Sequence, residues 1–291
     1  MTIGAIPRIR IGGTAVSRLA LGGAGWSLAD EPDVDGAIAT MHAAIDHGVT
    51  LIDTARAYTT VDHPAHNEWL IGKALATHPD GDSVFVATKG GHFRSGPAEF
   101  PVDASPAALR RDCEQSLRTL GRDRLDLYQL HRADNPSTVL EESVGELAVL
   151  RDEGKIRGVG LCNVTVAQLE KARAITVIDA VQNRYSPLSR DDETLAYCAR
   201  EGIPYLAYSP LGGRSGVRRL ETGLPGLGRI AAERGCTVQQ VALAWLTSFR
   251  ANLVPIVGTG RPAHLVQAVE AVAAGLTAPE VERLSVALPR N

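Results

Sequence analysis

Six polar side chains stand where apolar segments end, and their types could support proton transfer or ligand binding. They are Asp53, Lys89, His131, Asn163, Gln182 and Tyr208. Each comes at or just after a short apolar run typical of a buried strand. Taken singly, Asp53 could cap a helix, Lys89 could be a solvated strand end and His131 could be a hydrogen-bonded core residue. Because the pattern recurs on successive segments, we interpret the six as parts of one functional site.

Tyr58 adds an acid to this set. It lies five residues after Asp53, on the segment that leaves the same predicted strand. A phenol with a pKa of about 10 is a poor acid at neutral pH, but a nearby ammonium group favours the phenolate. We expect Lys89 to supply that ammonium, with Asp53 pairing with it and orienting it. His131 would donate to a substrate oxygen and hold it.

The elements that must position these residues alternate regularly. Eight segments resemble strands: LALG, VTLIDTA, SVFVATK, LDLYQLH, IRGVGLCN, DAVQNRY, PYLAYSP and LVPIVG. Helical patterns lie between them, and Ser105 and Pro106 mark one helix start as N-cap and first-turn proline. Glycines follow the helical patterns at three places: Gly121, Gly154 and Gly202. This alternation predicts right-handed β-α-β units on a parallel sheet.

Eight consecutive units within about 250 residues match the size of a closed (β/α)8 TIM barrel. An open doubly wound sheet is the alternative, but LGGAGW lacks the Gly-x-Gly-x-x-Gly spacing of a dinucleotide-binding turn, and no other strand is followed by one. An N-terminal β-hairpin, IPRIRI and AVSRLAL joined by Gly12-Gly13, should precede the barrel. We expect a single barrel domain over residues 1–291, with a long surface loop from Leu211 to Gly228. The six polar side chains would converge at the C-terminal face of the barrel.

Composition narrows the class of protein. The chain has 291 residues, 44% of them hydrophobic, and a net charge of −3, so a nucleic-acid partner is not expected. No apolar run has the length of a signal peptide or a membrane span, so we expect a soluble, cytoplasmic protein with a small-molecule partner. Four widely spaced cysteines indicate neither disulfides nor a zinc site. The oligomeric state is not indicated.

Two other kinds of site are disfavoured. His63 and His66 lie three residues apart, but no third ligand has a useful spacing, so no metal site is expected. We expect His66 and Asn67 instead to cap the following helix or to line the rim. The chain also lacks a Gly-x-Ser-x-Gly turn and a cysteine placed to pair with His131, which argues against hydrolase chemistry.

One combination on three consecutive strands resembles the catalytic tetrad of the aldo-keto reductase superfamily: Asp53, Tyr58, Lys89 and His131. The resemblance is to the smaller bacterial members and extends through DTARAY, ATKGG, LDLYQLH, GVGLCN, VQNRYSPL, AYSPLG and IVGTGRPAHL. It implies an oxidoreductase that reduces an aldehyde or ketone to an alcohol by hydride transfer, with Tyr58 as the general acid. NADPH is the implied cofactor, and NADH is less favoured.

The resemblance also implies how the chain would hold this cofactor across the mouth of the barrel. Asn163 and Gln182 match contacts to the nicotinamide carboxamide, and Tyr208 matches the aromatic side chain that stacks on the ring. The loop beside the pyrophosphate is matched by Ser209, Leu211 and Gly213. The site for the 2′-phosphate and adenine is matched by Gly258, Thr259, Gly260, Arg261, His264 and Gln267. The helix N-terminus at Pro262 suits an anion on physical grounds alone.

Three positions depart from the family pattern. Cys162 stands where serine is usual, His264 where arginine is frequent, and Gln267-Ala268 where Glu-Asn is usual. The last two departures remove contacts that favour NADPH and grip adenine. Arg261 is therefore the expected partner of the 2′-phosphate.

The substrate pocket depends on the loops after the first, third, fourth and seventh strands. Trp26, His92 and Phe93 follow the first and third strands, where they could enclose the substrate or pack within their own loops. Aldehydes, ketones and sugar-derived carbonyls all fit this description.

Two functions of other classes remain open. Channel β-subunits resemble this family and keep its cofactor site, so the chain could be a nicotinamide-nucleotide sensor. It could also be a family member recruited for dehydration or cyclisation, in which the tyrosine acts as an acid without net hydride transfer. The complete tetrad favours turnover over sensing, but it does not separate reduction from the recruited chemistry.

Overall fold

The chain opens with a hairpin that covers one end of a barrel. The computed structural model describes residues 4–28, 32–213 and 216–288. Strands β1 (Arg8–Ile11) and β2 (Thr14–Ser17) pair antiparallel. Gly12 and Gly13 join them with φ of 53° and 81°, the left-handed region that glycine tolerates, so the predicted hairpin is confirmed. Ile11 and Val16 are fully buried in the cluster that fills the barrel.

Eight parallel strands form the barrel: β3 (Ala20–Gly22), β4 (Leu51–Asp53), β5 (Phe85–Gly90), β6 (Leu125–Leu130), β7 (Ile156–Cys162), β8 (Ala180–Arg184), β9 (Tyr205–Tyr208) and β10 (Leu253–Gly258). Each pairs with the next along the chain, and β10 pairs with β3 to close the ring. The predicted fold class and its eight strands are confirmed. The closure excludes the open doubly wound sheet.

Helices follow the strands: α1 (Ala24–Ser27), α2 (Val34–Asp46), α3 (His66–Ala76), α4 (Pro106–Leu120), α5 (Leu140–Asp152), α6 (Val166–Arg173), α7 (Asp192–Arg200), α8 (Gly216–Gly223), α9 (Pro225–Arg234), α10 (Val238–Phe249), α11 (Pro262–Ala274) and α12 (Ala278–Ala287). A short 3-10 helix spans Gly81–Ser83. The Ser105 hydroxyl accepts from the Ala108 N–H at the start of α4, as its sequence predicts. Among the described residues, no helix has the length and apolar character needed to cross a bilayer.

The segment from Leu211 to Gly228 was expected to be a long surface loop, and that expectation is wrong. Apart from Arg214 and Ser215, which lie outside the described residues, most of it belongs to α8 and the start of α9. Leu220, Leu224 and Leu227 are buried at helical spacing. Gly223 and Gly226 between them, and the arginines before Leu220, hide this periodicity in the sequence.

Alternation along the strands sorts side chains between two hydrophobic clusters. Phe85, Ala87 and Leu127 point into the barrel, whereas Val86 and Tyr128 face the surrounding helices. Because successive residues of a strand point to opposite faces, residues that continue the inward series at the strand ends also point inward. This periodicity sets where the polar side chains of the site must point.

Gly90 provides a test of the packing between β5 and the helices. A Cβ at this position would collide with the Tyr128 hydroxyl and approach Asp112. Gly90→Ala should therefore lower the free energy of unfolding by about 1–3 kcal/mol, measured by urea denaturation. Gly145→Ala in α5 is the control, since its Cβ would enter open space. That variant should be unchanged or more stable by about 0.5–1 kcal/mol, and equal losses in both variants would contradict the packing argument.

Candidate active site

A buried ion pair lies at the centre of the site. Asp53 ends β4 and is in register with Ala87 of β5, so Lys89, two residues further on, points to the same interior face. Lys89 Nζ donates to Asp53 Oδ2 at 2.7 Å and to the Thr54 carbonyl oxygen at 2.8 Å. The two charged side chains are 1% and 5% exposed. Burial, the largest single influence, lowers the pKa of Lys89. The charge of Asp53, its hydrogen bond and the neighbouring Tyr58 and Cys162 together outweigh burial, so the net pKa is raised and the amine is an ammonium.

Gln182 holds the other carboxylate oxygen. Its Nε2 donates to Asp53 Oδ1 at 2.8 Å and lies 3.4 Å from Gln129 Oε1. The Cys162 thiol donates to the same Gln129 oxygen at 3.6 Å. Burial raises the pKa of Cys162, so the thiol stays protonated. Gln129 is fully buried, and it was missed from the sequence, although a polar residue inside the apolar run LDLYQLH was the available signal.

Tyr58 approaches the ion pair from the loop between β4 and α3. Lys89 Nζ lies 5.0 Å from the centroid of the Tyr58 ring. The sequence predicts that this ammonium favours the phenolate. Lys89 does lower the pKa of Tyr58, but burial acts more strongly in the opposite direction and raises it to about 12. Tyr58 is therefore a protonated phenol at neutral pH.

His131 completes the group at the end of β6. Its ring centroid lies 5.8 Å from that of Tyr58 and 4.8 Å from that of His92. Burial, assisted by the nearby charge of Lys89, holds the pKa of His131 well below its ordinary value. The imidazole is thus neutral at physiological pH. Its Nδ1 is buried and has no hydrogen-bond partner among the described residues.

The Tyr58 loop is held in place by Asn67. The side-chain amide donates to the Gly23 carbonyl oxygen and to Ser27 Oγ, both at 2.8 Å, and its oxygen accepts from the Thr54 hydroxyl at 2.6 Å. His66 Nδ1 lies 2.8 Å from the same Ser27 oxygen. His66 and Asn67 were expected to cap α3 or line the rim, but both are buried within its first turn, and the N-cap is Ala65.

A cavity of about 690 Å³ opens at the C-terminal face of the barrel above these groups. Its volume is in the range of small-molecule sites. Sequence-predicted residues line much of it: Asp53, Tyr58, His92, His131, Asn163, Gln182, Tyr208, Ser209, Leu211, Gly213 and Gly258. Arg132 and Asp134 also line it and were not predicted. They come one and three residues after His131, beyond the end of β6, where the strand-end pattern makes no prediction.

Asn163 is the most constrained residue on the other side of this cavity. Its Nδ2 donates to the His131 carbonyl oxygen at 3.0 Å, and its Oδ1 accepts from the Tyr208 hydroxyl at 2.8 Å. Asn163 and Ser209 have φ of 57° and 52°, and they are the two non-glycine residues with positive φ in the part of the chain that the structure describes. These contacts orient the rings and amides that face the cavity.

The remaining predicted residues lie further out. Thr259 and Gly260 follow β10, and Arg261 is the N-cap of α11, where its backbone N–H donates to Thr259 Oγ1 at 3.1 Å. Three of the residues predicted to bind the 2′-phosphate and adenine have exposed side chains: Arg261, His264 and Gln267.

The three predicted substrate residues separate in the structure. His92 lines the main cavity, whereas Phe93 lines a second, smaller one. Trp26 is buried, and its indole N–H donates to the Thr259 carbonyl oxygen at 2.8 Å. This hydrogen bond connects α1 to the loop after β10.

Comparison with known proteins finds similarity along most of the chain. A family model described as the aldo/keto reductase family matches residues 18–288. A probable aldo-keto reductase 1 from Glycine max is 33% identical over 99% of this chain and 91% of that protein. The structure of a glycerol dehydrogenase from Gluconobacter oxydans has a TM-score of 0.82 at 28% identity, covering 96% of this chain and 94% of that one. An aldo/keto reductase from Klebsiella pneumoniae, in complex with NADP and acetate, has a TM-score of 0.80 at 30% identity, covering 99% and 97%.

The buried ion pair predicts that removing one partner destabilises the protein more than removing both. Lys89→Met leaves the buried Asp53 carboxylate without its ammonium partner and should lower the free energy of unfolding by about 3–5 kcal/mol. Adding Asp53→Asn removes the stranded charge while keeping an acceptor for Gln182, so the double variant should regain much of that loss. Denaturant unfolding of the two variants measures the difference. A double variant less stable than Lys89→Met would contradict the account.

Proposed function

The chain belongs to the aldo/keto reductase family, and on that premise we propose that it reduces an aldehyde or ketone to an alcohol with NADPH, Tyr58 donating the proton. The observation that carries the proposal is the buried ammonium of Lys89, 5.0 Å from the ring centroid of Tyr58. Tyr58, which carries the phenolic proton, lines a cavity large enough for a ligand. An oxidoreductase that must place a proton on a developing alkoxide needs such a group.

Tyr58 and Lys89 divide the work of proton transfer. Burial keeps Tyr58 protonated, with a pKa of about 12, so the proton is present before the reaction starts. As negative charge develops on the substrate oxygen, the phenol gives up this proton and begins to carry the charge itself. Lys89 then stabilises the phenolate, an interaction that is stronger in the transition state than in the ground state. Asp53 keeps the lysine in place.

His131 acts on the substrate oxygen as a neutral donor. Because its pKa lies well below the ordinary value, the imidazole carries a proton on one nitrogen without a net charge. A neutral donor beside Lys89 avoids a second positive charge in the same buried space. We propose that His131 orients the carbonyl while Tyr58 protonates it.

The residues on the other half of the cavity fit a nicotinamide nucleotide. Asn163 and Gln182 offer amides and Tyr208 offers an aromatic face, and all three line the cavity. Further out, the α11 N-terminus with Arg261 suits a phosphate. When bound, NADPH supplies the hydride for the carbonyl carbon. The relative from Klebsiella pneumoniae described in complex with NADP supports this choice of cofactor.

The two alternative functions make different demands on the same residues. A nucleotide sensor has no need of an ammonium buried beneath a phenol, and burying that charge is costly unless it is paired. The Asp53–Lys89 pair therefore supports turnover. A member recruited for dehydration or cyclisation would use the same acid, and hydride transfer is the measurement that separates it from a reductase.

Tyr58→Phe tests the proton donor. The variant keeps the ring but removes the proton, so turnover of an accepted aldehyde should fall by roughly two to four orders of magnitude. Nicotinamide absorbance follows turnover, and calorimetry should show little change in the Kd for NADPH. Tyr197→Phe is a matched control, since that hydroxyl accepts from Arg173 away from the cavity. Near-native reduction of every accepted substrate by Tyr58→Phe would refute the assignment.

Adding Lys89→Met to Tyr58→Phe should cost little more activity than either change alone, because the two side chains act as one unit. The comparison is made on folded protein, at a temperature below the unfolding of the least stable variant. Multiplicative losses would mean that Lys89 acts independently of Tyr58. NADPH binding without hydride transfer to any carbonyl, in the unaltered protein, would favour the sensor.

Arg261→Ala tests the choice between cofactors. If Arg261 makes the main charge-assisted contact to the 2′-phosphate, the variant should bind NADPH more weakly by on the order of 2 kcal/mol and NADH nearly as before. Arg229→Ala in α9, also exposed, serves as the control. Equal losses for both cofactors would show that Arg261 acts elsewhere, and His264 would become the better candidate.

A further inference from the structure

A second cavity, of about 260 Å³, lies beside the proposed active site. It is formed by the loop between β4 and α3, the loop after β5 and the first turns of α4. Three arginines line it: Arg56, Arg94 and Arg111. We call this cavity the arginine cleft. Its other polar lining includes Ser95 and Asp112.

The lining of the cleft holds three arginines and one carboxylate. None of its three arginines forms an ion pair within the described ranges, although arginines elsewhere form many. Asp112 is the one carboxylate in the lining, and its Oδ2 already accepts from the Gly91 N–H at 3.0 Å. Burial raises the pKa of Asp112 and of the buried Glu68, and the charge of Arg56 opposes that rise in both, but less strongly. Glu99 at the rim accepts from the Ser95 hydroxyl.

At least two of the arginines have N–H groups that donate to no acceptor among the described residues. Arg94 uses three N–H groups on the carbonyl oxygens of Gly96, Thr59 and Pro97, which fixes its guanidinium in place. Arg56 donates to the Pro64 carbonyl oxygen, and its Nε is buried without an acceptor among the described residues. Arg111 is exposed and forms no side-chain hydrogen bond within the same part of the chain. Guanidinium groups that line one cavity and are partly fixed by hydrogen bonds are typical partners of oxyanions.

The cleft lies apart from the residues proposed to hold the cofactor. Those residues follow β7 to β10, whereas the cleft is built on the loops after β4 and β5. It shares its loops with the active site, since Tyr58 and His92 line the main cavity while Thr59 and Phe93 line the cleft. A ligand in the cleft would therefore contact the same two segments that carry the proposed acid and its neighbour.

We propose that the arginine cleft is a binding site for a phosphate group, separate from the site for the cofactor phosphate. The phosphate could be inorganic phosphate or the ester phosphate of a carbonyl substrate whose reacting end lies at Tyr58. Only the second source rests on the proposed function. Both sources share the recognition chemistry, which is a doubly charged oxyanion held by guanidinium groups.

Calorimetric titration of inorganic phosphate into the full chain tests the site. The titration is made in the Arg261→Ala background, so that the proposed cofactor site does not contribute and no turnover is required. Arg111→Gln removes one charge without breaking a hydrogen bond, and we expect it to weaken phosphate binding by about tenfold or more. Arg111→Lys keeps the charge and should retain most of the affinity. Arg118→Gln, an exposed arginine on the same helix, should bind phosphate normally.

Kinetics distinguish the two sources of phosphate. A short hydroxyaldehyde and its phosphate ester are compared in the unaltered protein and in Arg111→Gln. A rise of about tenfold in KM for the ester alone indicates that the substrate carries the phosphate. An unchanged KM for both, together with calorimetric binding that Arg111→Gln weakens, indicates free phosphate. The proposal is overturned if phosphate does not saturate the protein, or if Arg111→Gln and Arg94→Gln both bind it as tightly as the parent.

Discussion

The site depends on keeping an ammonium charge inside the barrel. Moving an amine and a carboxylate out of water costs several kcal/mol each, and their attraction offsets this only when the remaining hydrogen-bonding groups are also satisfied. Here the Thr54 carbonyl oxygen and the Gln182 amide satisfy them. Because β4 and β8 face each other across the ring, the contact from Gln182 to Asp53 exists only when the barrel is closed. Fold and charge placement are therefore coupled.

The same burial has opposite effects on the two groups around Lys89. It disfavours charge on Tyr58 and raises its pKa, and it disfavours charge on His131 and lowers its pKa. Both side chains are consequently neutral hydrogen-bond donors at physiological pH. The ammonium of Lys89 lies beside these two neutral groups, and Asp53 neutralises it at rest. In the proposed mechanism this ammonium would stabilise the phenolate that forms as Tyr58 gives up its proton.

Strand ends could be predicted from the sequence because inward-pointing positions repeat every two residues. On β4 the inward series runs from Leu51 to Asp53, and on β5 it runs from Phe85 and Ala87 to Lys89. A polar residue at the end of an inward-pointing apolar series therefore indicates the site. Asn67 could not be placed this way, since its partners lie on segments more than ten residues away and no local pattern records them. The helix α8 was hidden because it has few apolar residues, with a glycine at each end and two arginines before Leu220. Local periodicity thus predicts the scaffold better than it predicts the polar contacts between loops.

Backbone strain is concentrated on the rim opposite Tyr58. Asn163 and Ser209 hold left-handed backbone conformations, which cost non-glycine residues about 1 kcal/mol or more unless surrounding contacts impose them. At Asn163 those contacts include the His131 carbonyl oxygen and the Tyr208 hydroxyl. Glycine would relieve the strain at Asn163, but it would lose the amide that links His131 to Tyr208. Asparagine is among the residues that tolerate this region best, so the chain combines the required turn with a side chain that orients both neighbours. The strain is therefore explained by the positions it gives to His131 and Tyr208 on either side of the cavity.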